Sequence, residues 1–208
     1  MATDSGKRKR YSYGVGAFPH KKILCSICGR EYSAGLLNKH DISYKMFLSN
    51  DYYPDFLWGY YTFISERTKE IFLEEDVKDY YLGDTFMRSI TDLTKEEIKE
   101  LRGDRFKIDR IPIDPPSYYR LFPKHYAHLH KESNIKLLEN CEACGYEWYG
   151  TQNKEKENEI IDLNSLNGDD IFWIYERGSA IYCTDRIVEI YNKHKLTGLY
   201  FTEVEAIE

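Results

Sequence analysis

At 208 residues, with 42% hydrophobic content, 15% aromatics and 19 tyrosines, the chain has the apolar mass for a sizeable core and is excluded from the disordered class. Its formal charge of −6 is unevenly spread: residues 1–40 hold eight Lys/Arg against two acids, which leaves residues 41–208 at −12, a body that repels phosphate backbones and suits a basic partner. No apolar run approaches the about 18 residues that cross a bilayer, no signal core follows the N-terminus, and four of five cysteines stand in two close pairs, so the expected setting is the reducing cytoplasm with no membrane partner.

Residues 1–18, with Lys7-Arg8-Lys9-Arg10 and a glycine-punctuated end at Gly14 and Gly16, read as a basic, loosely ordered head. Residues 21–24 form a short strand candidate leading into Cys25-Ser26-Ile27-Cys28-Gly29, and residues 31–33 return from it, the outline of half a zinc ribbon with Tyr32 over the site. Residues 43–49 have some helical character, and residues 50–54 turn into Phe56-Leu57-Trp58. Residues 61–64 are extended; Ser65 is a helix N-cap, Glu66 places a negative charge in the first turn, and Ile71 and Phe72 give the helix its apolar side. A second helix has sharper borders, because Thr94 and Glu97 make a capping box, Ile98 and Leu101 share a face, and Gly103 stops it.

Pro112, Pro115, Pro116 and Pro123 exclude a long helix between residues 104 and 124, where extended chain with tight turns is expected to cross the molecule. Residues 135–138 then enter a second knuckle, Cys141-Glu142-Ala143-Cys144-Gly145, and Tyr146-Glu147-Trp148 leave it. After a charged loop at 154–159, residues 169–174 are a strand candidate. Residues 181–183 form a further strand, Thr184 an N-cap, Ile187, Ile190 and Tyr191 a helix face, and Gly198 releases the chain into a last strand over 199–204.

Part of this order repeats. Ser65-Glu66-Arg67 matches Thr184-Asp185-Arg186, and Glu70-Ile71-Phe72 matches Glu189-Ile190-Tyr191, both displaced by 119 residues, while the cysteine pairs are displaced by 116. The expected fold is therefore α+β: two associated lobes of mixed or antiparallel strands and short helices, joined by a zinc-ribbon-like site. The expected division is a head at 1–18, an N-terminal lobe at 19–103 with the first knuckle, a proline-rich connection at 104–134, and a C-terminal lobe at 135–208 with the second.

Cys25, Cys28, Cys141 and Cys144 supply the four ligands that tetrahedral zinc takes, so one structural Zn2+ is expected, with no position left open for catalytic water. Thiol exchange is disfavoured, because a redox pair normally opens a helix whereas each pair here reads as a turn followed by a strand. Other groups offer alternatives. His20 precedes Cys25 closely enough to replace a ligand, and His125, His128 and His130 form a cluster without the spacing of a known hydrolytic metal motif. Cys183 lies on an apolar strand and reads as a buried, inert thiol unless a base such as His194 adjoins it. Arg67 and Arg186 stand at helix starts, where a cation opposes the dipole; pairing with Glu66, Glu70, Glu189 or backbone accounts for them.

The two CxxCG knuckles, Asp170-Ile171-Phe172-Trp173, Thr184-Asp185-Arg186 and Leu196-Thr197-Gly198-Leu199-Tyr200-Phe201 together resemble the double-CXXCG family, which includes immunity proteins paired with swarming-inhibition toxins of myxobacteria. The resemblance spans roughly residues 22–204; the basic head and the 154–159 loop lie outside the pattern. It implies a non-enzymatic cytoplasmic bacterial protein, a toxin inhibitor that binds and neutralises a cognate toxin by occlusion, with zinc in a structural role. Two other functions stand beside it: a zinc-ribbon nucleic-acid binder using residues 7–10, Lys21, Lys22 and Arg30, against which the acidic body argues, and a metalloenzyme using His125, His128 or His130. The sequence leaves the toxin, its contact surface and the oligomeric state open.

Overall fold

A computed structural model describes residues 13–17, 21–34, 44–48, 52–58, 62–103, 107–152, 155–178 and 180–208, with side chains left aside at 13–17, 21–23, 32–34, 44, 45 and 58. His20 and residues 1–12 fall outside the described residues, as does the Tyr32 side chain. Among the described residues, eight strands occupy the first half: β1 Tyr13–Ala17, β2 Lys21–Leu24, β3 Glu31–Ala34, β4 Tyr44–Leu48, β5 Phe56–Trp58, β6 Thr62–Ser65, β7 Tyr80–Gly83 and β8 Thr85–Met87. Helix α1, Glu66–Glu74, lies between β6 and β7, and α2, Lys95–Gly103, follows β8. The second half carries β9 Tyr118–Pro123, β10 Tyr126–Ala127, β11 Lys136–Cys141, β12 Tyr146–Gly150, β13 Ile160–Asp162, β14 Ile171–Ile174, β15 Ile181–Cys183, α3 Asp185–Lys193 and β16 Glu205–Ile207.

The strands form small mixed and antiparallel sheets in an α+β arrangement with three helices among the described residues. The largest sheet has the order β5-β6-β9-β7; others are β10-β14-β15 and β1-β4-β8, with the pairs β2-β3, β11-β12 and β13-β16. One apolar cluster runs through both halves. It joins Phe56, Phe63, Phe72, Tyr118 and Phe122 to Ile171, Trp173, Ile187, Ile190 and Leu196, so the two halves share a core and do not form separate bodies bridged by the cysteines alone.

Local chemistry explains why most elements sit where the sequence places them. The Ser65 hydroxyl accepts from the Thr68 amide at the start of α1. The Thr94–Glu97 capping box closes α2, with Glu97 accepting from the Thr94 amide at 2.8 Å and Thr94 Oγ1 accepting from the Glu97 amide at 3.2 Å. Thr184 occupies the N-cap position of α3, but its hydroxyl makes no capping bond.

Three expectations give way, and a fourth, the extended reading of the proline-rich stretch, is sharpened. Tyr13–Ala17, read as part of a loose head, pairs antiparallel with β4. The helical reading of residues 43–49 yields to strand β4, whose Met46 and Leu48 are buried at a spacing of two while β1 and β8 satisfy its two edges. The proline-rich stretch contains an inner strand, β9, because Pro115 and Pro116 precede it and Pro123 ends it, leaving its middle free to pair with β6 and β7. Residues 199–204 are not a strand: the Tyr191 hydroxyl donates to Leu199 O at 3.1 Å and accepts from the Leu199 amide at 3.2 Å, replacing the bonds a neighbouring strand would make.

The repeat seen in sequence is a repeat of bonds. In one unit the Ser65 amide donates to Asp55 O, and in the other the Thr184 amide donates to Asp170 O. Both helices end alike. The Asp76 and Val77 amides reach back to Leu73 O and Phe72 O, and the Lys195 and Leu196 amides to Asn192 O and Tyr191 O, with Asp76 (φ 50°) and Lys195 (φ 51°) in the left-handed region. Each unit also caps the other. Arg67 binds the Asp55 carboxylate and donates to His194 O at the end of α3, while Arg186 binds the Asp170 carboxylate and donates to Glu75 O at the end of α1. The two corresponding cap residues meet, with His194 Nε2 2.6 Å from Glu75 Oε1.

Candidate metal centre

Each knuckle is a tight turn between two antiparallel strands, β2-β3 and β11-β12. The Gly29 amide donates to Cys25 O at 2.9 Å and the Gly145 amide to Cys141 O at 2.8 Å. Both glycines lie in the left-handed region, φ 71° and 69°, where a side chain is strained; this is why glycine follows each second thiol. The turns present their sulfurs to one another. Cys25 Sγ is 3.8 Å from Cys141 Sγ and Cys28 Sγ is 3.7 Å from Cys144 Sγ, and all four lie within 4.8 Å of one another.

These separations discriminate between chemistries. A disulfide needs about 2.05 Å between sulfurs. A tetrahedron of thiolates about 2.3 Å from zinc has edges of about 3.8 Å. The cysteine cluster fits a single four-coordinate ion, with Cys25 and Cys141 buried and Cys28 exposed.

The surroundings favour thiolate at Cys25. Hydrogen bonds from the Cys28 and Ile27 amides bring the Cys25 thiol down to about 6. Cys144 moves the other way, to about 12: the Tyr146 amide favours its thiolate, but burial and hydrogen bonds with the Cys141, Cys28 and Cys25 sulfurs outweigh that. With no cation among them, four sulfurs this close cannot all carry charge; a divalent ion removes the conflict. Arg30 crosses from one knuckle to the other, bonding Glu139 at 2.6 Å with its guanidinium 3.9 Å above the Tyr146 ring, and the Glu139 carboxylate holds it above the ordinary arginine value.

The histidines do not converge. His125 Nδ1 lies 2.8 Å from Asp169 Oδ1, His128 Nδ1 lies 3.2 Å from Glu176 Oε1, and the buried His130 accepts the Glu132 amide at its ring nitrogen. Among the described residues the three do not gather into one metal-binding group; only His125 joins such a group, with Asp79 and Asp169. Cys183 is a poor nucleophile, its thiol pushed up to about 12 by burial, while the His194 ring is engaged by Glu75. No protein-family model, no curated protein and no solved structure matches the chain. No helix among the described residues is long and apolar enough to cross a membrane.

For Arg67 and Arg186 the expected pairing with backbone is found, at His194 O and Glu75 O, while the carboxylates they bind are Asp55 and Asp170 in place of Glu66, Glu70 or Glu189. Asp55, Asp170, Glu75 and His194 were missed as a connected set. A signal was present in the sequence, for Asp55-Phe56-Leu57-Trp58 and Asp170-Ile171-Phe172-Trp173 share the pattern Asp-x-x-Trp ahead of the two capped helices.

Proposed function

We propose that the chain is an immunity protein of the double-CXXCG kind, which binds a cognate bacterial toxin in the cytoplasm and occludes its working surface without catalysing a reaction. The observation that carries this reading is the closed four-thiol cluster: it leaves no coordination position for substrate, so the ion acts by fixing the strands that lead from it. One of those strands bears a surface suited to a partner. Tyr149 on β12 adjoins Tyr175 with ring centroids 6.2 Å apart, the Tyr175 hydroxyl donates to Glu147 Oε2 at 2.8 Å, and the Tyr175 ring faces His128 and Tyr126 at 5.7 and 6.0 Å; Trp148 is the neighbouring residue on β12. Tyr126, Trp148 and Tyr175 are all exposed.

Rigid aromatics beside carboxylates are the side chains that anchor interfaces, and the negative body favours a basic toxin face. The burial of Tyr149, with its bond to Glu147, raises its phenol to about 12, so the hydroxyl keeps its proton near neutrality. The test is co-expression with the product of the adjacent toxin gene, followed by pull-down. Protection and co-purification that fall at least tenfold in Tyr175→Ala and Trp148→Ala support the reading. An absence of both binding and protection by the wild-type chain overturns it.

A further inference from the structure

Comparison of the two repeated units isolates a second cluster. Asp79 follows the end of α1 as Gly198 follows the end of α3, and Asp169 precedes Asp170 as Pro54 precedes Asp55. At the Gly198 corner the chain is closed and apolar: a Cβ there would lie 2.1 Å from Phe56 O and 3.0 Å from the Pro54 ring. At the other corner the same two places hold carboxylates. A third group, His125, is brought in by the junction of β9 and β10, where its carbonyl accepts the Trp173 amide at 3.1 Å.

One oxygen or nitrogen from each of Asp79, His125 and Asp169 lies within 4.8 Å of the others. Asp169 is only 2% exposed at its side chain, and its sole hydrogen bond among the described residues is to His125, a member of the same cluster. Lys124 Nζ stands 3.8 Å from Asp79 Oδ1 and offsets one of the two negative charges. The repeated architecture requires neither carboxylate, since the other unit builds the same corner from glycine and proline. Two carboxylates drawn together oppose one another's ionisation, and the buried one has no hydrogen-bond partner beyond the cluster among the described residues, so a cation placed among the three groups would relieve both.

We propose that Asp79, His125 and Asp169 form a second metal site, open to solvent and taking an exchangeable divalent cation of the Mn2+ class. One imidazole and two carboxylates form a nitrogen–oxygen set suited to that class, and unlike the cysteine set it leaves coordination positions for water. The 2.8 Å separation of His125 Nδ1 and Asp169 Oδ1 suits adjacent positions around an ion bound at about 2.1 Å, for which an octahedral edge is about 3.0 Å. His125, 45% exposed at its side chain, marks the open side.

The test uses the full chain with its cysteine site loaded with zinc, titrated with MnCl2 while the free-Mn2+ resonance is followed. One further equivalent is expected, with enhanced water-proton relaxation from the open positions. Asp79→Gly restores at 79 the residue found at 198 and relieves its φ of 62°, so it removes a ligand without endangering the fold. Asp79→Gly and His125→Ala should each weaken Mn2+ binding at least about tenfold with zinc content unchanged; without Mn2+, Asp79→Gly should melt at the wild-type level, whereas His125→Ala, which strands the buried Asp169, should melt lower. Absence of a saturable Mn2+ site up to millimolar concentration, or an affinity unchanged in either variant, overturns the proposal.

Discussion

Arg186→Met is the sharpest probe of the exchange between the two units. Arg186 Nη1 is 2.5 Å from Asp170 Oδ2 and its other terminal nitrogen donates to Glu75 O, so one side chain neutralises a carboxylate and caps the neighbouring helix. The Asp170 side chain is 8% exposed and the arginine 42%. A fully buried pair broken on one side costs about 3–5 kcal/mol, but solvent screens half of this one, and a lost charge-assisted bond is worth about 1.5–3 kcal/mol. The expected loss is about 2–3 kcal/mol at neutral pH, a fall in melting temperature of about 5–10 °C for a chain of this length.

Arg67→Met should cost less. Asp55 keeps the Thr197 amide and hydroxyl at 2.9 Å, whereas Asp170 keeps the Lys78 amide. Urea unfolding of zinc-loaded protein measures both, and an Arg186→Met/Asp170→Asn pair should recover at least about 1 kcal/mol of the summed single losses, because the carboxylate stranded in the first variant is gone. An Arg186→Met protein within about 0.5 kcal/mol of wild type, or strict additivity of the pair, would refute the cross-capping argument.

Cys25→Ser and Cys141→Ser should each release the zinc and lower the melting temperature in parallel, read by metal analysis and calorimetry, since structural zinc binding is folding free energy. Gly198→Ala places a Cβ against Phe56 O at φ 102° and should cost about 3 kcal/mol or more in chemical unfolding. Thr94→Ala removes the α2 cap and should cost about 1 kcal/mol, visible as a lower urea midpoint. Glu75 is held below the ordinary carboxylate value by Lys193 and then by His194, so its contribution is present above the unfolded value of 4.5 and is lost as pH falls through the lower folded one. Glu75→Gln should therefore flatten the acid limb of a stability–pH curve below about pH 5, and an unchanged limb would count against the pairing.

The legible parts of this protein are those written in contiguous residues. Ser65, Thr94 with Glu97, and the two CxxCG turns each specify their own backbone, so the helix starts and knuckle strands were readable, and the number of thiols suggested one shared ion. Tertiary choices were not local. Residues 43–49 carry enough apolar groups for either period, and β1 and β8 decide for strand. The prolines around β9 signalled extended chain with turns but not its place inside a sheet, because their role as brackets depends on strands β6 and β7 found earlier in the chain. Arg67 and Arg186 were visible as equivalents, but their acceptors lie on the opposite unit; and His125 separates from His128 and His130 because only it reaches Asp79 and Asp169.

The meeting of like with like, Cys25 with Cys141, Cys28 with Cys144 and Glu75 with His194, has a consequence for assembly. A chain with one knuckle and one hairpin–helix unit would own two thiols and an uncapped helix end, and could complete itself only by finding a second molecule at sufficient concentration. Joining both units in one polypeptide makes that encounter intramolecular, at an effective concentration fixed by the intervening chain. The meeting of the two half-sites then becomes a unimolecular event, independent of how dilute the protein is.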